Sequence, residues 1–333
     1  MAFTPQLARR FQRWLGWSGL LFGAGVALGA DWVGHGSTNQ SVWGLRGGLQ
    51  FAIFPGGFPE GPGGPRGLIR IGYPTLTNGG YDLINFIAVE PVVGAARGYS
   101  ELEKSGVDGH QGKMFWSGPA LITNVAARAA NSGVEELTLP VRVEKFGNGA
   151  HVRLALSQRS DAPDELRLTV WAEPDSAPIK ACILTATMGN KARARWLWLK
   201  DGPVSSAKIF GDYTGAGFAP AAFFPSTWLR QNAAGDALVA ISNDETNPAA
   251  ALDPANFWKY RGEKVTQYWR LPAADLSATL RCAVNARFMY WMSHTPVPGG
   301  LAFENFELVA DFKAGQSFSF GVTKRAPAEL LQQ

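Results

Sequence analysis

Apolar and polar residues alternate with a period of two in segment after segment of this 333-residue chain, and that rhythm leaves few architectures open. In LTLPVRVE (137–144), Leu137, Leu139, Val141 and Val143 fall on one side. HVRLALS (151–157) turns Val152, Leu154 and Leu156 inward and His151, Arg153 and Ala155 outward. The same pattern returns in LRLTVW (166–171), RARWLWL (193–199), DALVAIS (236–242) and QSFSFGV (316–322). A period of two is the signature of a half-buried strand, because successive side chains leave opposite faces of the pleat. Gly-Asn-Gly in KFGNGA (145–150) marks a hairpin, and SDAPDE (160–165) and EPDSAP (173–178) separate further strands. Helical periodicity is almost absent after residue 30. The chain is therefore expected to be all-β, a large antiparallel β-sandwich of supersandwich-like width, with long connecting loops. Residues 31–323 read as one domain and 324–333 as a loose C-terminal tail. No repeat of fixed period points to a propeller or a β-helix.

The first thirty residues read differently. Arg9, Arg10 and Arg13 precede the apolar run LGWSGLLFGAGVALGA (15–30), which ends in small residues before Asp31. A basic start, a short apolar stretch and a small-residue end form a secretory signal peptide, with cleavage expected after Ala30 or Ala27. The run is shorter than the ~20 residues of a spanning helix, so no stable membrane span is expected after cleavage. Both a Sec leader and a twin-arginine leader fit Arg9-Arg10. The reading is an exported protein, periplasmic or extracellular.

That leader also explains the basic charge. The chain has 31 Lys and Arg against 27 Asp and Glu. Three of those bases lie in the leader and no acid does; without it the bases exceed the acids by one. Outside KARAR (191–195) there is no basic cluster, so a nucleic-acid partner is not expected. The two cysteines, Cys182 and Cys282, allow two readings: a disulfide in an oxidising compartment, or two separate buried thiols.

Site candidates concentrate between Pro55 and Trp116. The loop PGGFPEGPGGPRG (55–67) resembles a phosphate cradle only in its glycines; it lacks the Gly-Lys-Ser/Thr ending. It presents Arg66. The strand LINFIAVEPVV (83–93) is apolar on both faces, so it is expected to be central. Simple alternation puts Ile84, Phe86, Ala88 and Glu90 on one face, and Leu83, Asn85, Ile87 and Val89 on the other. Burial makes Glu90 and Asn85 costly unless paired. A raised pKa would suit Glu90 to general-acid work, and a salt bridge to Arg97 or Arg46 would make it structural. Glu101 and Glu103, if extended, would share a side about 7 Å apart, near the spacing of a glycosidase pair. Tyr99 and His110 are the candidates for a β-elimination.

The candidate catalytic set is thus Glu90, Glu101, Glu103, His110 and Tyr99. Arg66, Arg97, Asn85, Trp116, Trp258 and Tyr260 are the candidates for binding, with the two arginines facing an acidic group. Twelve tryptophans are more than the alternating cores require, and rigid amphipathic indoles suit sugar rings. No GxSxG elbow, metal-ligand spacing or dinucleotide fingerprint is present, so neither metal nor cofactor is expected. The expectation is an exported protein that cleaves a polysaccharide glycosidic bond as a hydrolase or lyase. The alternative is a non-catalytic carbohydrate-binding or cell-envelope sandwich.

Overall fold

The computed structural model describes residues 29–34, 42–53, 67–106, 109, 111–115, 126–129, 133–187, 189–243, 260–291 and 293–332. Twenty strands among them form two antiparallel sheets. The chain begins with six strands in the first sheet: β1 (Trp32–Val33), β2 (Trp43–Leu45), β3 (Gln50–Ala52), β4 (Leu68–Tyr73), β5 (Asp82–Val93) and β6 (Ala96–Arg97). It crosses to the second sheet for β7 (Ala126–Ala129), β8 (Glu135–Arg142), β9 (Val152–Arg159) and β10 (Ala162–Ala172). β11 (Ala181–Thr187) returns to the first sheet, and β12 (Ala194–Leu199) and β13 (Gly202–Ser205) lie in the second. β14 (Ala222–Pro225) joins the first, and β15 (Arg230–Gln231), β16 (Ala237–Asn243) and β17 (Thr266–Leu271) the second. β18 (Arg281–Arg287) and β19 (Ala302–Asp311) belong to the first sheet and β20 (Gln316–Thr323) to the second.

The first sheet runs β1-β2-β3-β4-β5-β11-β19-β18-β14, with β6 against β5. The second runs β13-β12-β16-β17-β20-β10-β9-β8-β7, with β15 against β16. The fold is an all-β sandwich. One hydrophobic core, reaching from Trp32 to Val322, fills the space between the sheets.

The alternating segments supply that core as their sequences require. Leu137, Leu139, Val141 and Val143 are buried, as are Val152, Leu154 and Leu156, and Leu166, Leu168 and Val170. Hairpin β8–β9 closes where Phe146 N–H donates to Ala150 O at 2.8 Å. Gly149 sits there at φ +88°, a conformation that suits glycine. Trp269 on β17 stitches the sheets together. It is fully buried, packs edge-on against Phe320 and donates Nε1–H to Phe306 O at 2.9 Å. Large buried side chains of this kind contribute about 1.5–3 kcal/mol each.

Two expectations need correction or resolution. The C-terminal segment is not loose: a short helix (Pro327–Leu330) buries Leu330, with Leu331, against Leu238, Ala240 and Tyr268 on the outer face of the second sheet. The cysteines are separate buried thiols. Cys182 on β11 and Cys282 on β18 flank β19, opposite Ala310 and Leu308. Two strand spacings, about 10 Å, are more than a disulfide spans. Among the described residues, no helix is long and apolar enough to cross a membrane.

Candidate functional site

β5 is central, with β4 and β6 on one side and β11 on the other. Its alternation is broken once. The register steps from Ile71 opposite Asn85 to Gly72 opposite Leu83, leaving Ile84 as an extra residue. Such a bulge exchanges the faces on either side of it. Ile84 therefore joins Ile87 and Val89 in the main core, while Leu83 turns outward with Phe86. This reverses the faces expected for residues 83 and 84. Asn85 stays on the face of Ile87 and Val89, as alternation expects, and is no part of a cleft, because its Nδ2 donates to Gln267 Oε1 at 2.5 Å between the sheets.

Glu90 lies on the opposite, outer face. Thr185 on β11 and Glu307 on β19 are cross-strand neighbours there. The small residues opposite them, Ala88 and Ala283, leave the space above to longer side chains. Arg97, on β6, reaches into it. Its Nε donates to Glu90 Oε2 at 3.0 Å, and its Nη2 to Glu307 Oε1 at 2.7 Å and to Thr185 Oγ1 at 3.0 Å. Thr185 Oγ1 in turn donates to Glu90 Oε2 at 2.6 Å. Burial disfavours the charge on Arg97, but Glu90 and Glu307 outweigh it and raise its pKa. Burial pushes Glu90 up to about 7, against the pull of Arg97 and Thr185. Glu90 is 1% exposed, so it positions Arg97 from below and does not meet solvent. Arg46, the other expected partner, instead pairs with Asp31 at 2.7 Å.

The segment after β6 folds over this cluster. It is not extended: Glu103 N–H donates to Tyr99 O at 3.2 Å, a helical turn. The expected same-side pair of Glu101 and Glu103 is therefore wrong, because a local hydrogen bond overrode the alternation. Glu103 serves the scaffold. It accepts from Gly147 N at 2.8 Å and Tyr99 N at 3.3 Å, and Lys113 Nζ lies 3.3 Å away. Glu101 faces the cluster half-buried, its pKa raised by burial and by Glu307, against the opposing charge of Arg97. The Tyr99 ring lies 5.1 Å from the Arg97 guanidinium and is 39% exposed.

Farther along the same face stands a second group that the sequence reading missed. A register shift between β18 and β19 brings Glu304 outward. Glu304 is buried, and burial pushes it up to about 7, with Arg287 opposing and Glu101 reinforcing the rise. Arg287 is held by Ala216 O at 2.8 Å and Met289 O at 3.1 Å. The rings of Phe218 and Trp291 lie 4.8 and 4.9 Å from its guanidinium. On β14, Phe223 lies 5.2 Å from Arg281. Tyr99, Phe218, Phe223 and Trp291 belong to the few large apolar side chains that are exposed among the described residues. The available signal was FENFELV (303–309), two acids inside an otherwise apolar strand.

The remaining expected binding residues divide simply. Tyr260 is 1% exposed within the main core and its hydroxyl pKa is raised well above the usual value by burial, so it offers no surface to a ligand. Arg66, His110, Trp116 and Trp258 lie outside the described residues. Trp269 and Trp43 are core residues. Arg97 is committed to two carboxylates and is not free to hold a third. Among the described residues, no group of three or more His, Cys, Asp or Glu is placed to hold a metal ion. Comparison with family models, with curated proteins and with solved structures finds no match for the chain.

Proposed function

We propose that this protein is an exported carbohydrate-active enzyme that hydrolyses glycosidic bonds of a neutral polysaccharide on the outer face of its first sheet. One observation carries the reading. Glu101, with raised proton affinity, stands beside an Arg97–Glu307 salt bridge on a face bordered by exposed aromatic rings. Glu101 is the proton donor. As the bond between the anomeric carbon and the bridging oxygen breaks, the Glu101 proton passes to that oxygen. Water then supplies a hydroxyl to the anomeric carbon, and its proton goes to Glu307, the carboxylate of the cluster that pairs with Arg97. Glu90 and Thr185 hold Arg97, and Arg97 orients Glu307. Hydrolysis is favoured over lyase chemistry because no guanidinium in the cluster is left over for a uronate, and the surrounding carboxylates oppose one.

The density of bonds within the Glu90–Arg97–Thr185–Glu307 network also suits a purely structural role, with the aromatic face binding glycan without turnover. The two readings separate in one experiment. Purified protein is incubated with neutral and uronic polysaccharides while new reducing ends, unsaturated products and binding are followed. The enzyme reading expects reducing ends from a neutral polymer, lost in Glu101→Gln with binding retained. Binding by the parent protein without products leaves the binding reading. Neither products nor binding across the panel overturns both.

A further inference from the structure

Three arginine-backed aromatic groups border the carboxylate cluster from different sides. Tyr99 on Arg97 lies toward β5, Phe223 on Arg281 lies on β14, and Phe218 with Trp291 enclose Arg287, the last residue of β18. Between β5 and β14 the sheet order is β5-β11-β19-β18-β14. Four strand spacings make this about 19 Å, the length of several sugar units. Glu307, on β19, stands near the middle of that span.

The rings are held in place. Phe218 and Trp291 share a guanidinium that is itself fixed by two carbonyls, and their centroids are 6.0 Å apart. Phe218 is 45% and Trp291 57% exposed, so each keeps a free surface while the arginine beneath fixes its orientation. Preorganised stacking surfaces lose little entropy when a ligand settles on them. The floor between them is mixed. Glu307, Thr185, Thr187 and Asn305 are polar, with Thr187 Oγ1 donating to Asn305 Oδ1 at 2.5 Å, and Ile183, Ala283 and Val309 form a small apolar cluster beside them that is itself buried. Separate aromatic patches over such a floor match a pyranose chain, whose rings have apolar faces and hydroxyl edges. A protein partner would call for one continuous apolar patch. Four carboxyl groups, Glu90, Glu101, Glu304 and Glu307, stand on this face with three guanidiniums. Arg97 and Arg287 are already engaged by carboxylates or carbonyls, and Arg281 lies against Phe223 at the β14 side, a balance that disfavours a polyanion.

We infer that this face binds a neutral polysaccharide chain laid across the strands, with stacking subsites on both sides of the carboxylates, so that the enzyme acts on internal bonds and not on chain ends. The inference rests on the proposed function and specifies how its substrate lies. The test is calorimetric titration with a ladder of linear neutral oligosaccharides, cello- and chito-oligosaccharides of two to eight units. It is repeated with Tyr99→Ala, Phe223→Ala and Trp291→Ala, all at exposed positions, and paired with product-size analysis on the polymer. Affinity is expected to climb with length before reaching a plateau. Tyr99→Ala and Trp291→Ala should each weaken long oligomers roughly three- to ten-fold while sparing one another's short ligands. Early products should be of mixed length. Equal affinity for the dimer and the octamer, or release of a single short product from one end, overturns the inference while the carbohydrate reading stands. No binding of any glycan overturns both.

Discussion

Glu304 gives the sharpest test of the electrostatics of the outer face. Its carboxyl is buried, one oxygen has no hydrogen-bond partner among the described residues, and burial raises its pKa from 4.5 to about 7. The folded protein thus keeps a proton that the unfolded chain loses near pH 4.5. Stability is fully present below that pH, falls as pH rises through about 7, and then levels off. A rise of this size costs about 3 kcal/mol once the group is forced to ionise in the fold. Against a typical net stability of about 5–15 kcal/mol, that is readily measured. Glu304→Gln keeps the volume and removes the charge. It should match the parent near pH 5 and exceed it by up to about 3 kcal/mol at pH 8. Glu90, also raised to about 7 by burial, has the same sign, so the variant keeps part of the parent's decline. The assay is urea unfolding followed by tryptophan fluorescence from pH 5 to 8, with an unchanged m-value as the control. If the difference between Glu304→Gln and the parent is the same at pH 5 and pH 8, Glu304 takes up no proton across that range on folding. The burial argument then fails.

Other outcomes follow from the same geometry. Glu103→Gln weakens the acceptor for Gly147 and Tyr99 and the pairing with Lys113, and should cost about 1–3 kcal/mol in thermal unfolding; no loss would mean that the turn holds itself. Cys182 and Cys282 should resist thiol reagents in the native state, since burial pushes the Cys182 thiol up to about 12 and raises Cys282 as well; rapid native-state labelling of both would refute this. Ending the chain before Pro327 uncovers Leu238, Ala240 and Tyr268 and should cost about 3 kcal/mol, visible as a lower urea midpoint. A Cβ on Gly321 would collide with the Tyr268 ring. Gly321→Ala should therefore displace that ring, break its 3.0 Å hydroxyl bond to Glu165 and destabilise by about 1–3 kcal/mol; an unchanged midpoint would contradict it.

What could be read from the chain alone was what is local. Alternation in residues 137–143, 152–156 and 166–170 determined both strand type and inward face, because a pleat alternates whatever it packs against. An acid inside an apolar strand marked Glu90, and Arg97 stood only seven residues away. Tertiary structure decided the rest. The bulge at Ile84 depends on the register with β4, and it turned Ile84 into the core and Leu83 out of it, against the alternation of the sequence. The turn at Tyr99–Glu103 gained a backbone hydrogen bond that the alternation of YSELE could not foretell. Glu307, the carboxylate that completes the cluster, is 210 residues from Arg97. Only the sheet order β5-β11-β19 brings the two together, and strand order follows from how whole faces bury against each other, which no local pattern encodes.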